Sequence, residues 1–294
     1  MTRLVPTLPD SQIGPLLAAY TATTHAKRRQ MLLAAALGIA AFWLAVIGAE
    51  VDPVTWWRKI GNFTSYFDRL LTLDTGARVW TDPAEWFWGL KRWTRLLGET
   101  LLIAYVGTLT GAILAFGAGF LASRNMMPHA FWRSVVRRGM EFCRTVPELV
   151  FALIFVASFG LGAFAGVLAV VIHTTGALGK LFSEVVENID MRPVEGVASA
   201  GGNWFAKIRF GALPQVLSNF TSYALLRFEV NVRSAAVLGF VGAGGIGEDL
   251  IVAIRKFFYA DVSAMLIMIV ITVMLIDTFS TRVRHRLLAF GQAR

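Results

Sequence analysis

Apolar residues in this chain come in long runs separated by short charged segments. Runs of helical length occupy Met31 to Ala49, Leu96 to Ala122, Val146 to Phe159, Ala163 to Leu178, Pro214 to Phe240 and Val262 to Ser280. A helix that crosses a bilayer needs about 20 mostly apolar residues. The pattern therefore predicts an all-α, polytopic membrane protein with about six transmembrane helices. Between spans, Phe131 to Cys143 reads as an amphipathic helix leading into the third run. Gly160-Leu161-Gly162 reads as a reversal before the fourth, and residues 241–261 as an external turn with a short helix.

Residues 50–95 differ in texture. Asp52-Pro53 and Asp82-Pro83 are turn signals. Trp56, Trp57, Trp80, Trp86, Trp88 and Trp93 suit the membrane–water interface, where amphipathic rings settle. This stretch is expected to be an external loop with short interfacial helices. The sequence divides at this point into residues 1–95, holding the N-terminus, the first span and the tryptophan-rich loop, and residues 96–294, holding the main transmembrane domain. Residues 179–214 are too polar to cross and form a loop of that second part.

Charge sets the expected orientation. Lys27-Arg28-Arg29 precedes the first span, Arg124, Arg133, Arg137, Arg138 and Arg144 follow the second, and Arg282, Arg284 and Arg286 follow the last. The positive-inside rule then puts the N- and C-termini and the 179–214 loop in the cytoplasm, although Arg58, Lys59, Lys91 and Arg92 sit in the external loop. Charged residues make up 16% of the chain, against about 25% in soluble proteins, which removes the soluble class. The net charge of +9 flanks apolar spans and so points to the bilayer, not to nucleic acid. Cys143 is the one cysteine, and His25, His129, His173 and His285 are scattered, so neither a disulfide framework nor a metal site is expected. The first apolar run lacks a small-x-small cleavage site and reads as a retained anchor.

Enzyme signatures are missing. Gly179-Lys180 comes nearest to a phosphate-binding loop, but Leu181 stands where Ser or Thr is required and Thr174 where the first glycine belongs. Gly242, Gly244 and Gly247 match G-x-G-x-x-G, yet membrane spans flank them, so a tight glycine turn is the expectation. There is no G-x-S-x-G or H-E-x-x-H. No catalytic residue and no cofactor of the chain's own is expected.

One spacing does carry information. Glu195, Gly201, Leu213 and Pro214 fall in register with the cytoplasmic "EAA" loop of permease subunits of binding-protein-dependent ABC importers. Gly196 and Val197 replace the alanines of that pattern, and Gly211 replaces its isoleucine. The block LPQVLSNFTSYALLRFEVNVRSAAVLGFVGAGGIG at 213–247, TVPELVFALIFV at 145–156 and HTTGALGKLFSEVVENID at 173–190 resemble the phosphonate-type permeases of that family, and the resemblance covers roughly residues 90–285. It implies a membrane pathway formed by two permease copies or close paralogues in the inner membrane. Two separate ATPase subunits, carrying ATP and Mg, would dock at Glu195, Gly201, Leu213 and Pro214, and an external binding protein would deliver the solute. Gly201 would allow close backbone approach, and Pro214 would break the docking helix before span five. Other small solutes, such as phosphite, phosphate or methionine, fit the same frame. A membrane-embedded enzyme or a passive channel would be the rival classes.

Span five is unusually charged for a helix in lipid. A charge at its centre costs about 2.5–3.5 kcal/mol by insertion scales, so each must be paired or face water. At 3.6 residues per turn, Tyr223, Arg227, Asn231 and Ser234 share one face. Ser218, Ser222, Glu229 and Arg233 share nearly the opposite one. Glu229 and Arg233 are four apart and can pair. Arg227 has no acidic partner in its own helix. Either it faces the pathway, where a guanidinium can grip an oxyanion, or it makes a helix–helix contact or pairs with Glu148 or Glu141. His173 can likewise face the pathway or bridge helices, and Glu148 can cap the third span or pair with a basic residue.

Overall fold

The computed structural model describes residues 10–50 and 52–292, and among them every regular element is helical. The chain divides into two compact units, residues 1–65 and 66–294. In the first, α1 (Asp10–Gly48) is one helix that runs through the basic triplet and the first apolar run. Its Leu32, Leu37, Phe42, Trp43 and Ile47 are exposed, the surface expected of a helix facing lipid. Asp52 then starts α2 (Pro53–Leu70) by accepting from the Val54 N–H at 2.9 Å.

The second unit holds α3 (Pro83–Trp86), α4 (Leu90–Ala122), α5 (Ala130–Thr145), α6 (Glu148–Phe159), α7 (Ala163–Glu187), α8 (Arg192–Ser199), α9 (Trp204–Ala206), α10 (Leu213–Leu238), α11 (Ile246–Arg255) and α12 (Tyr259–Gln292). Asp82 caps α3, accepting from Ala84 N at 3.1 Å and Glu85 N at 3.0 Å. Both Asp-Pro pairs are thus helix starts: the carboxylate takes orphan N–H groups, and proline fills a position that needs none. Trp86 and Trp88 reach α12, donating to Ser263 Oγ at 3.0 Å and Asp261 Oδ1 at 2.8 Å. Trp93 departs from the interfacial expectation, because it is buried against Leu97, Ile246 and Leu250.

Four helical stretches are long and apolar enough to cross a membrane: Thr23–Gly48, Leu90–Ala122, Ala163–Glu187 and Tyr259–Arg284. Two bent pairs, α5 with α6 at 88° and Trp204–Val241 with α11 at 49°, bring the count to six. The third apolar run is therefore one arm of a bent pair and not a straight span. α6 alone spans about 18 Å, well short of a hydrocarbon core of about 30 Å. α5 turns 88° from it and packs on α7, with Met140 against Gly179 and Cys143 against Gly176. α5 is thus part of the bundle as well as amphipathic. α7 also outruns its apolar stretch, so the first turns of the 179–214 segment belong to the membrane helix.

Three apolar layers stack along the bundle. Trp93, Leu97, Ile246, Leu250 and Val262 fill one end. Ile103, Ala104, Phe151, Val170 and Val232 fill the middle. Phe120, Phe182, Val186, Val194, Val216 and Phe220 fill the other end. α4 and α7 approach closely because small residues face across them. A Cβ on Gly107 would stand 2.5 Å from Val170 Cγ1, and one on Gly111 2.8 Å from Thr174 Cβ. Small residues let helix backbones pack tightly where lipid offers no hydrophobic drive.

Candidate functional site

Two linked regions carry the chemistry. The first is the segment from Asp190 to Pro214. Asp190 accepts from Arg192 N at 3.0 Å and pairs with its guanidinium at 2.6 Å. These contacts hold the Asp190 carboxyl below the usual range and raise Arg192. α8 follows, and it ends where Gly201 takes φ +80°. Nothing lies within 4 Å of a Cβ built on Gly201. Its glycine therefore serves the left-handed turn, not the close approach expected of it. Close approach falls to Gly211, where a Cβ would stand 2.8 Å from Val194 Cα. The residue that departs from the family pattern is the one on which α8 rests.

Pro214 does not break the helix. Residues Lys207–Ala212 form a π-turn between α9 and α10, and Leu213 N–H reaches back to Ile208 O. Proline lacks a donor and crowds the preceding carbonyl, and the widened turn accommodates both effects. The result is one helix from Trp204 to Leu238, about 50 Å long.

Side chains that the sequence reading passed over fasten this segment to the bundle. Gln215 Nε2 donates to Asp190 O at 3.0 Å and Gly211 O at 2.7 Å, while its Oε1 accepts from Asp190 N at 3.1 Å. Trp204 Nε1 donates to Met126 O at 2.9 Å. Glu187 pairs with Arg137 and accepts from Arg124 N. No pattern of spacing announces these contacts, since each joins elements far apart in the chain. Glu195 and Pro214 stay exposed, as do Phe205 and Phe210 at 73% and 65%.

The second region is a polar layer between the middle and far apolar layers. His173 lies about 15 Å along α7 from Ala163, and Arg227 about 17 Å along α10 from Leu238, so both sit near mid-bilayer depth. Arg227 donates to His173 Nδ1 at 2.9 Å and to Thr174 Oγ1 at 3.5 Å. His173 Nε2 faces Arg144 O at 3.3 Å. A guanidinium can only donate, so Nδ1 accepts, the ring proton is on Nε2, and the imidazole is neutral. Glu148 Oε2 stands 3.7 Å from His173 Nδ1. With Nδ1 accepting, Glu148 takes its charge compensation from Arg227. Asn231, fully buried, donates to Thr108 Oγ1 and Thr174 Oγ1, both at 2.8 Å.

The stripe of Tyr223, Arg227, Asn231 and Ser234 is thus the one that meets α4, α6 and α7. Tyr223 also lines an open groove of about 410 Å³ between the end of α7 and the start of α10, with Gln215, Asn219, Asn188 and Glu184. On the other stripe Glu229 is buried and pairs with half-exposed Arg233 at 3.1 Å. The glycine-rich stretch is a turn: Gly242, Gly244 and Gly245 all have φ near +80°. Gly162 N donates to Gly242 O at 2.8 Å, and Ile246 N to Thr100 Oγ1 at 3.0 Å. Among the described residues no group of three His, Cys, Asp or Glu is placed to hold a metal ion.

The structure is thus a helical bundle with a charged layer between its apolar layers, joined by one continuous helix to a helical hairpin. Residues 107–288 match the family described as binding-protein-dependent transport system inner membrane component, and the chain belongs to that family. Its members are transport subunits of ABC importers, working with a separate ATPase and a binding protein. The chain is 36% identical over 237 residues to the phosphite transport system permease protein PtxC of Stutzerimonas stutzeri, covering 81% of this chain and 86% of that one. It is 38% identical over 190 residues to the phosphate-import permease protein PhnE of Mycolicibacterium smegmatis, covering 65% of this chain and 36% of that one. Its fold matches a chain in a structure of the inward-facing MetNI methionine ABC transporter with TM-score 0.59 at 19% identity, over 70% of this chain and 98% of that one.

Proposed function

We infer that this permease carries a phosphorus oxyanion such as phosphonate, phosphite or phosphate, and that Arg227 contacts the anion in passage. The observation that carries this is the single helix from Trp204 to Leu238. It puts Arg227 on the same continuous helix as Phe205 and Phe210 of the exposed hairpin, whose other arm holds Glu195 and leads to Gly201. Motion of the hairpin, driven by ATP and Mg in a docked ATPase dimer, then moves Arg227 against His173 and Glu148, the re-orientation that alternating access requires. Phosphorus oxyanions are named by PtxC and PhnE, at 36% and 38% identity, whereas a D-methionine permease of Vibrio cholerae matches at 30%.

The groove beside Tyr223 is the exit in this reading. Basic residues outnumber acidic ones at that end, through Arg124, Arg133, Arg137, Arg138, Lys207, Arg209, Arg282 and Arg284, whereas the Trp93 end is balanced. That asymmetry supports a cytoplasmic hairpin and cytoplasmic termini. A second permease copy completes the pathway, an external binding protein supplies the solute, and the complex lies in the inner membrane. Glu229 and Arg233 form a structural pair beside the pathway.

The test is growth of a strain lacking this gene on phosphonate, phosphite or phosphate as sole phosphorus source, with uptake by the complex reconstituted in vesicles. Loss of growth on one of them, restored by the wild-type gene but not by Arg227→Gln, supports the reading. Unimpaired growth on all three, or full uptake by Arg227→Gln, removes it.

A further inference from the structure

Two acceptors in the mid-depth layer have no donor. Glu148 Oε1 and Asn231 Oδ1 are buried and have no hydrogen-bond partner among the described residues. Asn231 is fully buried, and the Glu148 side chain is 9% exposed. The amide orientation is dictated by its neighbours. Thr108 gives its own proton to Ala104 O at 2.6 Å, so it can only accept from Asn231, which turns the nitrogen toward the threonines and leaves the oxygen over. Arg227 and Glu148 Oε2 both stand against His173 Nδ1, at 2.9 and 3.7 Å, and Asn231 follows Arg227 by four residues on α10, so both orphan oxygens adjoin the Arg227 face of α10.

An unpaired buried acceptor is costly and rare. Two beside a half-buried guanidinium define a chemical complement: a ligand with anionic oxygens for Arg227 and a hydroxyl proton for the carboxylate or the amide oxygen. The monoanion of a phosphorus acid has both, since at least one of its oxygens keeps a proton. Sulfate has four bare oxygens at neutral pH, and they would meet an acceptor and a like charge. Rejection by an unpaired buried polar group is a strong form of discrimination.

We propose that Glu148 and Asn231 are specificity-determining residues of the permease, admitting oxyanions that bring a hydroxyl proton and rejecting those that do not. The proposal rests on the reading that Arg227 contacts the anion. It assigns to the membrane subunit a second selection step, after any made by the binding protein.

The experiment is equilibrium binding of radiolabelled phosphate to the purified permease–ATPase complex in lipid nanodiscs, without binding protein, competed by phosphite or sulfate. Phosphite should compete at least about tenfold better than sulfate in the wild type. Glu148→Gln provides an N–H donor, so sulfate should approach phosphite in that variant while phosphate binding persists. Equal competition by the two anions in the wild type overturns the proposal, whether or not the variant assembles. So does an unchanged preference in an assembled Glu148→Gln complex. Arg227→Gln separates the two levels. If it abolishes phosphate binding while Glu148→Gln keeps the preference, only the selection step falls. If phosphate binding survives Arg227→Gln, or the wild type binds none, the Arg227 reading falls with it.

Discussion

Gly211 lies on Val194 with no room for a side chain: a Cβ there would stand 2.8 Å from Val194 Cα and 3.1 Å from Val194 N. Those neighbours are backbone, so they yield only if α8 moves as a whole. Overpacking of this kind costs about 1–3 kcal/mol. Gly211→Ala is expected to insert in the membrane, lower the thermal stability of the assembled complex and reduce coupled uptake several-fold. Uptake and melting temperature at wild-type values would show that α8 does not rest on this glycine.

Gly201 offers the opposite case, a strained backbone in open space. Its φ of +80° is one that asparagine tolerates and β-branched residues do not. Gly201→Asn should keep near-normal uptake, whereas Gly201→Val should lose about 1–2 kcal/mol of stability. Gly201→Arg should insert normally yet uncouple ATP hydrolysis from uptake, because it adds a long charged side chain to the face proposed to dock the ATPase. Parallel ATPase and uptake assays check all three.

Phe205 and Phe210 expose large aromatic surfaces on the hairpin. Aromatic anchors of this sort dominate interfaces. Replacing either with Ala should weaken co-purification of the ATPase without lowering membrane insertion. Recovery of the ATPase at wild-type stoichiometry after high-salt washing would count against a docking role.

Glu187 gathers Arg137 of α5 and the Arg124 N–H at one end of the bundle. Both members of the ion pair are less than a third exposed. Glu187→Ala leaves the guanidinium without its carboxylate, and a loss of about 1–3 kcal/mol is expected, read as a lower unfolding temperature. Glu187→Gln should recover part of it by keeping the acceptor for Arg124 N.

Asp190 gives a pH signature. Its folded pKa is depressed, chiefly by the Arg192 side chain and then by the Arg192 N–H. The support it gives the first turn of α8 is therefore complete above the ordinary aspartate value and is lost as pH falls through the depressed one. The protection factors of the amides in residues 192–199, which remove the intrinsic pH dependence of exchange, should fall in that acidic window and stay flat above about pH 5. Asp190→Asn should remove the dependence.

Much was legible in the chain itself. Run length and charge asymmetry specify an all-α membrane protein, because lipid leaves helices with internally satisfied backbones as the simple solution. The spacing of Glu195, Gly201, Leu213 and Pro214 marks the hairpin, and helical periodicity separates the two stripes of span five and pairs Glu229 with Arg233. These are local properties, set by residues within a few turns of one another. The partners of Arg227 are not local. His173, Thr174 and Glu148 lie on α6 and α7, and which stripe meets them depends on how far α10 rotates against α4 and α7, which Gly107, Gly111 and the apolar layers decide. The π-turn that keeps Pro214 inside one long helix, the burial of Trp93, and the two acceptors left over at Glu148 and Asn231 likewise arise only when separate helices close on each other. Packing and hydrogen bonding between distant segments must be satisfied together, and no window of sequence contains both sides of that contact.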